Sequence, residues 1–240
     1  MKKILFTLTL FFITLASVEQ ASAQNIQLHY DFGRNIYTGA ESSRSKVTIT
    51  LEQFKADNWG SWYYFVDVDL SSHFVESAYT EISREFKLGK ETPFAAHIEY
   101  DGGLSRHNSF QQAGLVGAAW NGHNQDFSKT YSVQLMYKQY FKSYKDTHSY
   151  ASAQLTGVWG LNFFNKKFTF SGFIDFWRGE KSNGHGCLVI LSEPQLWYNF
   201  TPHFSVGTEW EFSNNFVYNS DPTSTQTFFW NPTVALKWNL

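Results

Sequence analysis

From Ile26 to Leu240 the chain repeats one pattern: about ten residues in which apolar and polar side chains alternate, a polar break, then another such run. Val47, Ile49 and Leu51 alternate with Thr48, Thr50 and Glu52, and Trp62, Tyr64, Val66, Val68 and Leu70 alternate with Tyr63, Phe65, Asp67 and Asp69. A period of two puts successive side chains on opposite faces of a β-strand, so each run has one apolar and one wet face. No later stretch approaches the roughly 20 apolar residues that a membrane helix needs. The pattern therefore predicts an all-β fold, a transmembrane antiparallel β-barrel of about twelve strands with its apolar face on lipid and its polar face on water.

The N-terminal segment has a different logic. Lys2 and Lys3 precede an apolar stretch, Ile4 to Leu15, and Ala21-Ser22-Ala23 forms a small-residue cleavage site. That order is a secretory signal peptide, so residues 1–23 are expected to be removed before Gln24, leaving residues 24–240 as one outer-membrane barrel. Aromatic residues make up 19% of the chain, yet its mean hydropathy is negative; lipid-facing aromatic girdles around a polar lumen account for both. A formal net charge of −2 gives no nucleic-acid surface. The lone Cys187 sits in Asn183-Gly184-His185-Gly186-Cys187 and reads as a loop residue with no internal disulfide partner.

The expected strands are 25–33, 46–55, 62–71, 77–87, 94–102, 110–120, 129–140, 149–160, 166–178, 187–200, 203–215 and 227–240. Connections after even-numbered strands are compact turn signals, such as Asp57-Asn58-Trp59-Gly60, Asn121-Gly122-His123-Asn124 and Thr201-Pro202-His203. Several after odd-numbered strands are longer, including Arg34 to Ser45, Gly179 to Gly186 and Asn214 to Gln226. Short turns on one side and long loops on the other are how outer-membrane barrels are built. One segment resists the pattern: with Ile82 and Phe86 outward, Arg84 also points at lipid, which predicts a bulge near Ser83 or an earlier strand end.

Fixing the outward parity fixes the inward set. It contains Asp31, Glu52, Asp67, Asp69, Glu81, Glu99, Asp101, Asp175, Glu193, Glu209 and Glu211, against chiefly Lys138 and Lys237. Such a lumen is acidic and favours neutral or cationic solutes over phosphates. Tyr63, Phe65, Phe173, Trp177 and Trp197 share the same face. Flat rings can stack on these aromatics while carboxylates accept hydrogen bonds from hydroxyl or amino groups. Channel-lining candidates are therefore Tyr63, Phe65, Asp67, Asp69, Glu81, Glu99, Phe173, Asp175, Trp177, Glu193, Trp197, Glu209 and Glu211.

Gly172-Phe173-Ile174-Asp175-Phe176, Gly207-Thr208-Glu209-Trp210-Glu211-Phe212, Phe65-Val66-Asp67-Val68-Asp69, Tyr79-Thr80-Glu81-Ile82-Ser83 and Ala235-Leu236-Lys237-Trp238 resemble the nucleoside-specific outer-membrane channel family, the Tsx-like porins. The resemblance implies a monomeric twelve-stranded barrel whose narrow channel passes nucleosides, with no cofactor, and with outer-membrane lipid and small solutes as its partners. The chain departs from that pattern at Leu240, where outer-membrane proteins commonly carry Phe.

Other chemistries leave weaker traces. His97-x-Glu99-x-Asp101 places three metal-ligand types on one strand face, but neighbours on one strand rarely close a site alone, and no metal is expected. His148-Ser149 and His107-Asn108-Ser109 carry the residue types of an outer-membrane lipid hydrolase; adjacent strand residues point to opposite faces, so His148 cannot serve Ser149 without a special loop conformation. The alternatives to a channel are thus such a hydrolase, or a structural or adhesive barrel with a plugged lumen. A secreted soluble β-sandwich would alternate over shorter strands and without this load of outward aromatics.

Overall fold

The computed structural model describes residues 23–37, 44–72, 74–142, 148–181, 184–216 and 226–240. Almost all of the expected signal peptide and parts of the three long connections lie outside these residues. Alternation of β-branched and aromatic residues with polar ones yields β1 (Ala23–Asp31), β2 (Val47–Ala56), β3 (Gly60–Ser71), β4 (Phe74–Lys87), β5 (Phe94–Ser105), β6 (Ala113–His123) and β7 (Lys129–Tyr140). It continues through β8 (Tyr150–Phe163), β9 (Phe168–Glu180), β10 (Gly186–Ser192), β11 (Gln195–Asn199), β12 (Phe204–Asn214) and β13 (Phe228–Asn239). One short helix, α1 (Gly33–Ile36), follows β1.

All pairings are antiparallel, and each strand pairs with its sequence neighbours except β10 and β11, while β1 pairs with β13 from Asn25↔Asn239 to Asp31↔Thr233. The sheet is therefore closed. Both β10 and β11 lie between β9 and β12, so they are two halves of one stave, and the barrel has twelve staves. The interruption falls at Pro194, which has no N–H to give the ladder. Register survives it: Ser192 faces Ile174 and Gln195 faces Ser171. Opposite the break Gly172 takes φ +151°, and a Cβ there would lie 2.5 Å from the Glu193 carbonyl oxygen and 2.8 Å from Pro194 Cα.

The barrel is apolar outside and polar inside. Leu135 is 65% exposed, and Leu28, Val116, Val133, Leu155, Val234, Leu236 and Trp238 are exposed with it, whereas Gln27 is 0% exposed. That distribution suits lipid as the outer solvent. Phe164, Phe168, Tyr198, Phe200 and Phe204 form a run of ring contacts with centroids 4.7–5.9 Å apart beside the 164–167 and 200–203 turns. Such a run at strand ends is an interfacial aromatic belt.

Three local expectations are corrected. Arg84 does point outward, but β3 and β4 pair without a shift from Gly60↔Phe86 to Asp69↔Ser77, so there is neither a bulge at Ser83 nor an early strand end. The irregularity lies at the other end of the hairpin, between Asp69 and Leu70, where Phe74 takes φ 76°. Arg84 is tolerated because its guanidinium meets Asp57 in a two-pronged pair at 2.8 and 2.9 Å and lies over the Trp62 and Phe86 rings. The hydrogen bond from Arg84, helped by the Trp59 and Gly60 amides, holds the Asp57 carboxyl at about 2, so this contribution is full above the ordinary value of 3.8 and is lost only as pH falls through about 2.

The second correction is to β6, which runs three residues beyond its expected end. Phe110 N donates to Gly103 O and Ser109 bridges Leu104, tying the preceding residues into a return loop, while Asn124 Oδ1 receives the Lys129 amide and so starts the turn after His123. The third is Cys187, which opens β10 opposite Gly179 rather than lying in a loop.

A methyl group at position 172 would press on the Pro194 segment in a backbone region that favours glycine. Gly172→Ala should lower the stability of the folded barrel by about 1–3 kcal/mol, read as an earlier loss of the compact band on stepwise heating in gel-shift assays. Gly157→Ala, whose Cβ would meet only Ile174 Cγ2 at 3.4 Å, should leave that temperature unchanged.

Candidate functional site in the barrel lumen

Period two delivers the site. In β3, Asp67 and Asp69 sit opposite Thr50 and Thr48 of β2 and opposite Tyr79 and Ser77 of β4, all on the inner face. Glu81 faces Phe65 and Asp101; Glu99 faces Ser83 and Leu115; Asp175 faces Thr156 and Leu191; Trp177 faces Gln154 and Val189. Glu209 faces Gln195, Trp197 faces Gly207, Glu211 faces Asn231, Phe173 faces Val158, and Tyr63 faces Phe54 and Ser83. Glu193, beside Pro194, donates its amide to Phe173 O and keeps the inward parity of Leu191. Pairing in register carries this one parity from strand to strand around the sheet.

These residues divide into two groups by environment. Asp101, Asp175, Trp177 and Trp197 are buried in a hydrogen-bonded inner lining. Lys138 Nζ donates to Asp101 Oδ2 at 2.9 Å and to Gln154 Oε1 at 2.8 Å, Gln154 donates to Thr156, and Thr156 Oγ1 donates to Asp175 at 2.5 Å. Trp197 is 0% exposed. Its Nε1 donates to Gln195, the Lys237 ammonium lies 3.8 Å above its ring, and Gly207 leaves room for it, since a Cβ there would come within 2.5 Å of the indole. Trp177 lies 5.2 Å from Lys138 Nζ and edges against Phe216. These two indoles hold cations rather than presenting open faces.

The second group is partly buried: Tyr63, Phe65, Asp67, Asp69, Glu81, Glu99, Phe173, Glu193, Glu209 and Glu211. Thr48 and Ser77 donate to Asp69 at 2.6 and 2.7 Å, and Thr50 to Asp67 at 2.5 Å, which fixes the orientation of the carboxyl groups. Tyr63, Phe65, Tyr79 and Phe110 form a continuous chain of rings with centroids 6.0–6.2 Å apart along the same wall. Glu193 lies within electrostatic reach of Glu209, Glu211, Asp67 and Glu81, so carboxylates of different staves act on one another through the bore.

Several inner residues carry charge or polarity beyond the expected set. Arg44, in the segment before β2, reaches Asp31 at 3.0 Å and Glu211 at 2.9 Å, and Asp31 also receives the Gly33 amide. His29 contacts Gln27 and Thr233, and His97 bridges Glu85 at 3.4 Å and Glu99 at 3.1 Å. The alternation Ile26-Gln27-Leu28-His29 already places Gln27 and His29 inward, as Ile98 places His97; Arg44 lies outside any periodic run. Counting Lys138 and Lys237 as the chief inward cations is thereby corrected: Arg44 joins them.

The other candidate chemistries are resolved by the same geometry. His97 is occupied by two carboxylates, and the acidic residues that converge are Glu81, Glu99 and Asp101, with one oxygen of each within 4.8 Å of the others. His148 Nε2 lies 2.9 Å from Glu180, while Ser149 Oγ donates to Tyr140 O and accepts from Gln139, so this pair is not arranged as base and nucleophile.

Residues 23–240 match the family described as "Domain of unknown function (DUF5020)". The chain belongs to that family. No curated protein matches it. Among solved structures, the NanC porin is 15% identical with a TM-score of 0.59, over 91% of this chain and all of that one. The KdgM porin in complex with disordered oligogalacturonate is 11% identical with a TM-score of 0.49, over 92% and 99% of the two chains. An OmpT loop-deletion mutant from Vibrio cholerae is 8% identical with a TM-score of 0.42, over 91% and 76%. The likeness to NanC shows the fold: this member of the family is a porin-like, twelve-stranded outer-membrane β-barrel.

Lys138 holds the buried half of this lining together. Lys138→Met should destabilise the folded barrel by about 3–5 kcal/mol because it strands the Asp101 carboxylate, and adding Asp101→Asn should recover part of the loss. Denaturant midpoints of the detergent-folded protein check this; a single variant no weaker than the double one would contradict it.

Proposed function

We propose that this protein is an outer-membrane channel for diffusion of small neutral solutes, nucleosides foremost. The observation that carries the reading is the partly buried wall in which the Tyr63–Phe65–Tyr79–Phe110 rings run beside Asp67, Asp69 and Glu81. Rings offer a stacking face to a flat base, and fixed carboxylates accept hydrogen bonds from ribose hydroxyls or base amino groups. Excess carboxylate in a low-dielectric bore repels phosphate, so nucleosides enter in preference to nucleotides. Tyr63, Phe65 and Phe173 carry the stacking in this reading, and Trp177 and Trp197 hold the Lys138 and Lys237 ammonium groups in place. The protein acts as a monomer within outer-membrane lipid.

A second reading, a structural barrel with a plugged lumen, is favoured by the density of the buried lining, in which Gln27, His97, Asn231 and Ser205 are fully covered. Planar-bilayer recording separates the two. A channel gives discrete current steps that adenosine and uridine reduce and sugars of similar size reduce less. Phe65→Ala should weaken nucleoside block by about 1 kcal/mol, the lower end of the range for base stacking on an aromatic, because water competes in the pore. Absence of any conductance supports the plugged barrel; conductance with equal passage of sugars and nucleosides leaves a general small-solute pore.

A further inference from the structure

Cross-strand pairing sets Glu81 of β4 directly opposite Asp101 of β5, and period two puts Glu99 on the same inner face. One oxygen from each of the three carboxylates lies within 4.8 Å of the others. Like charges placed opposite each other across a strand pair repel, more so away from bulk water. Each group is nonetheless fixed by a separate donor: Tyr79 Oη to Glu81 Oε1 at 2.9 Å, His97 Nε2 beside Glu99 Oε2 at 3.1 Å, and Lys138 Nζ to Asp101 Oδ2 at 2.9 Å.

A second observation points to a missing partner. Asp101 is 4% exposed, and its other oxygen, Oδ1, is buried with no hydrogen-bond partner. A buried carboxylate oxygen needs a proton, a water or a cation. Three carboxylates against the Lys138 ammonium leave about two negative charges, or about one when His97 is protonated, and a divalent ion offsets either. The donors are all oxygen, the set that hard cations take.

Calcium takes oxygens at about 2.3–2.6 Å in a flexible geometry, so three oxygens within 4.8 Å of one another can share one such ion. We infer that Glu81, Glu99 and Asp101 form a divalent-cation site on the inner wall that can take calcium, with Tyr79, His97 and Lys138 orienting its ligands. Outer-sphere partners of this kind hold a ligand set in place before the ion arrives.

The test uses the full mature chain, folded in detergent, stripped with EDTA and shown to be folded by its heat-modifiable band. Calcium chloride is titrated calorimetrically, and terbium chloride is followed by luminescence excited through the adjacent Tyr79. The inference expects one ion per barrel, calcium displacing terbium, and a loss of affinity of at least about tenfold in Glu81→Gln with Glu99→Gln. Asp126→Asn, in the turn between β6 and β7, should bind as the unmodified protein does. Should the double variant fail to fold, Glu99→Gln alone, which keeps the side chain's size and shape, carries the same expectation. Folded protein that binds neither ion, as it would if Glu99 and Asp101 only share a proton, overturns the inference, and so does unchanged affinity in the glutamine variants. Binding is read without current, so a barrel that binds calcium and conducts nothing sinks only the channel reading, and a conducting barrel that binds no calcium sinks only this one.

Discussion

Pairing between β1 and β13 is the contact on which the rest of the structure depends. In hydrocarbon there is no water to satisfy an open sheet edge, and a strand edge left unpaired would expose its N–H and C=O groups at a cost of several kcal/mol each. The ladder from Asn25↔Asn239 to Asp31↔Thr233 removes that edge, and it does so with Ile26, Leu28 and Tyr30 outward beside Trp238, Leu236 and Val234. Once the sheet is closed in that register, a slip of one residue would carry Gln27 and His29 into lipid and Leu28 into the lumen. Closure and alternation therefore fix each other.

The interior then faces a problem that a soluble core does not have. Side chains buried by the wall are polar, so the barrel is held inside by hydrogen bonds and ion pairs rather than by apolar packing: only Ala113, Leu115 and Met136, with Tyr140 against them, make a small apolar cluster among the described residues. Lys138, Lys237 and Arg44 each sit between carboxylates or over an indole, and the threonines at 48, 50 and 156 each hold an aspartate. Where those partners cover a side chain, the lining is rigid and closed. Where they fix a carboxylate but leave it open, as at Asp67 and Asp69, the wall can meet a solute. Buried supports and partly open groups thus share the inner face, and on β5 and β9 even the same strand.

The strands, their alternating parity and the closed architecture were legible from alternation, because period two is a property of the backbone and does not depend on neighbours. What alternation does not carry is which inner residues meet. Trp197 and Lys237 lie on staves separated by β12, and their contact across Gly207 depends on a diagonal register that no local pattern encodes. Arg84 reads as a misplaced charge until its partner, Asp57 in the preceding turn, is brought alongside by the β3–β4 hairpin. Arg44 belongs to a segment without periodicity, and its reach to Glu211 crosses from the first connection to β12. The partly buried and the buried groups share one parity, so sequence reasoning assigned them one role where the structure separates two.

The central claim is that a carboxylate-rich inner wall, open on one side, sets what passes through a closed barrel. The reversal potential of single channels in a potassium chloride gradient tests it most directly. The account predicts cation selectivity that falls when Asp67 and Asp69 become asparagine and Glu209 becomes glutamine, because fixed negative charge in a narrow bore concentrates the counter-ion. An anion-selective channel, or a cation preference untouched by removing those charges, would contradict it.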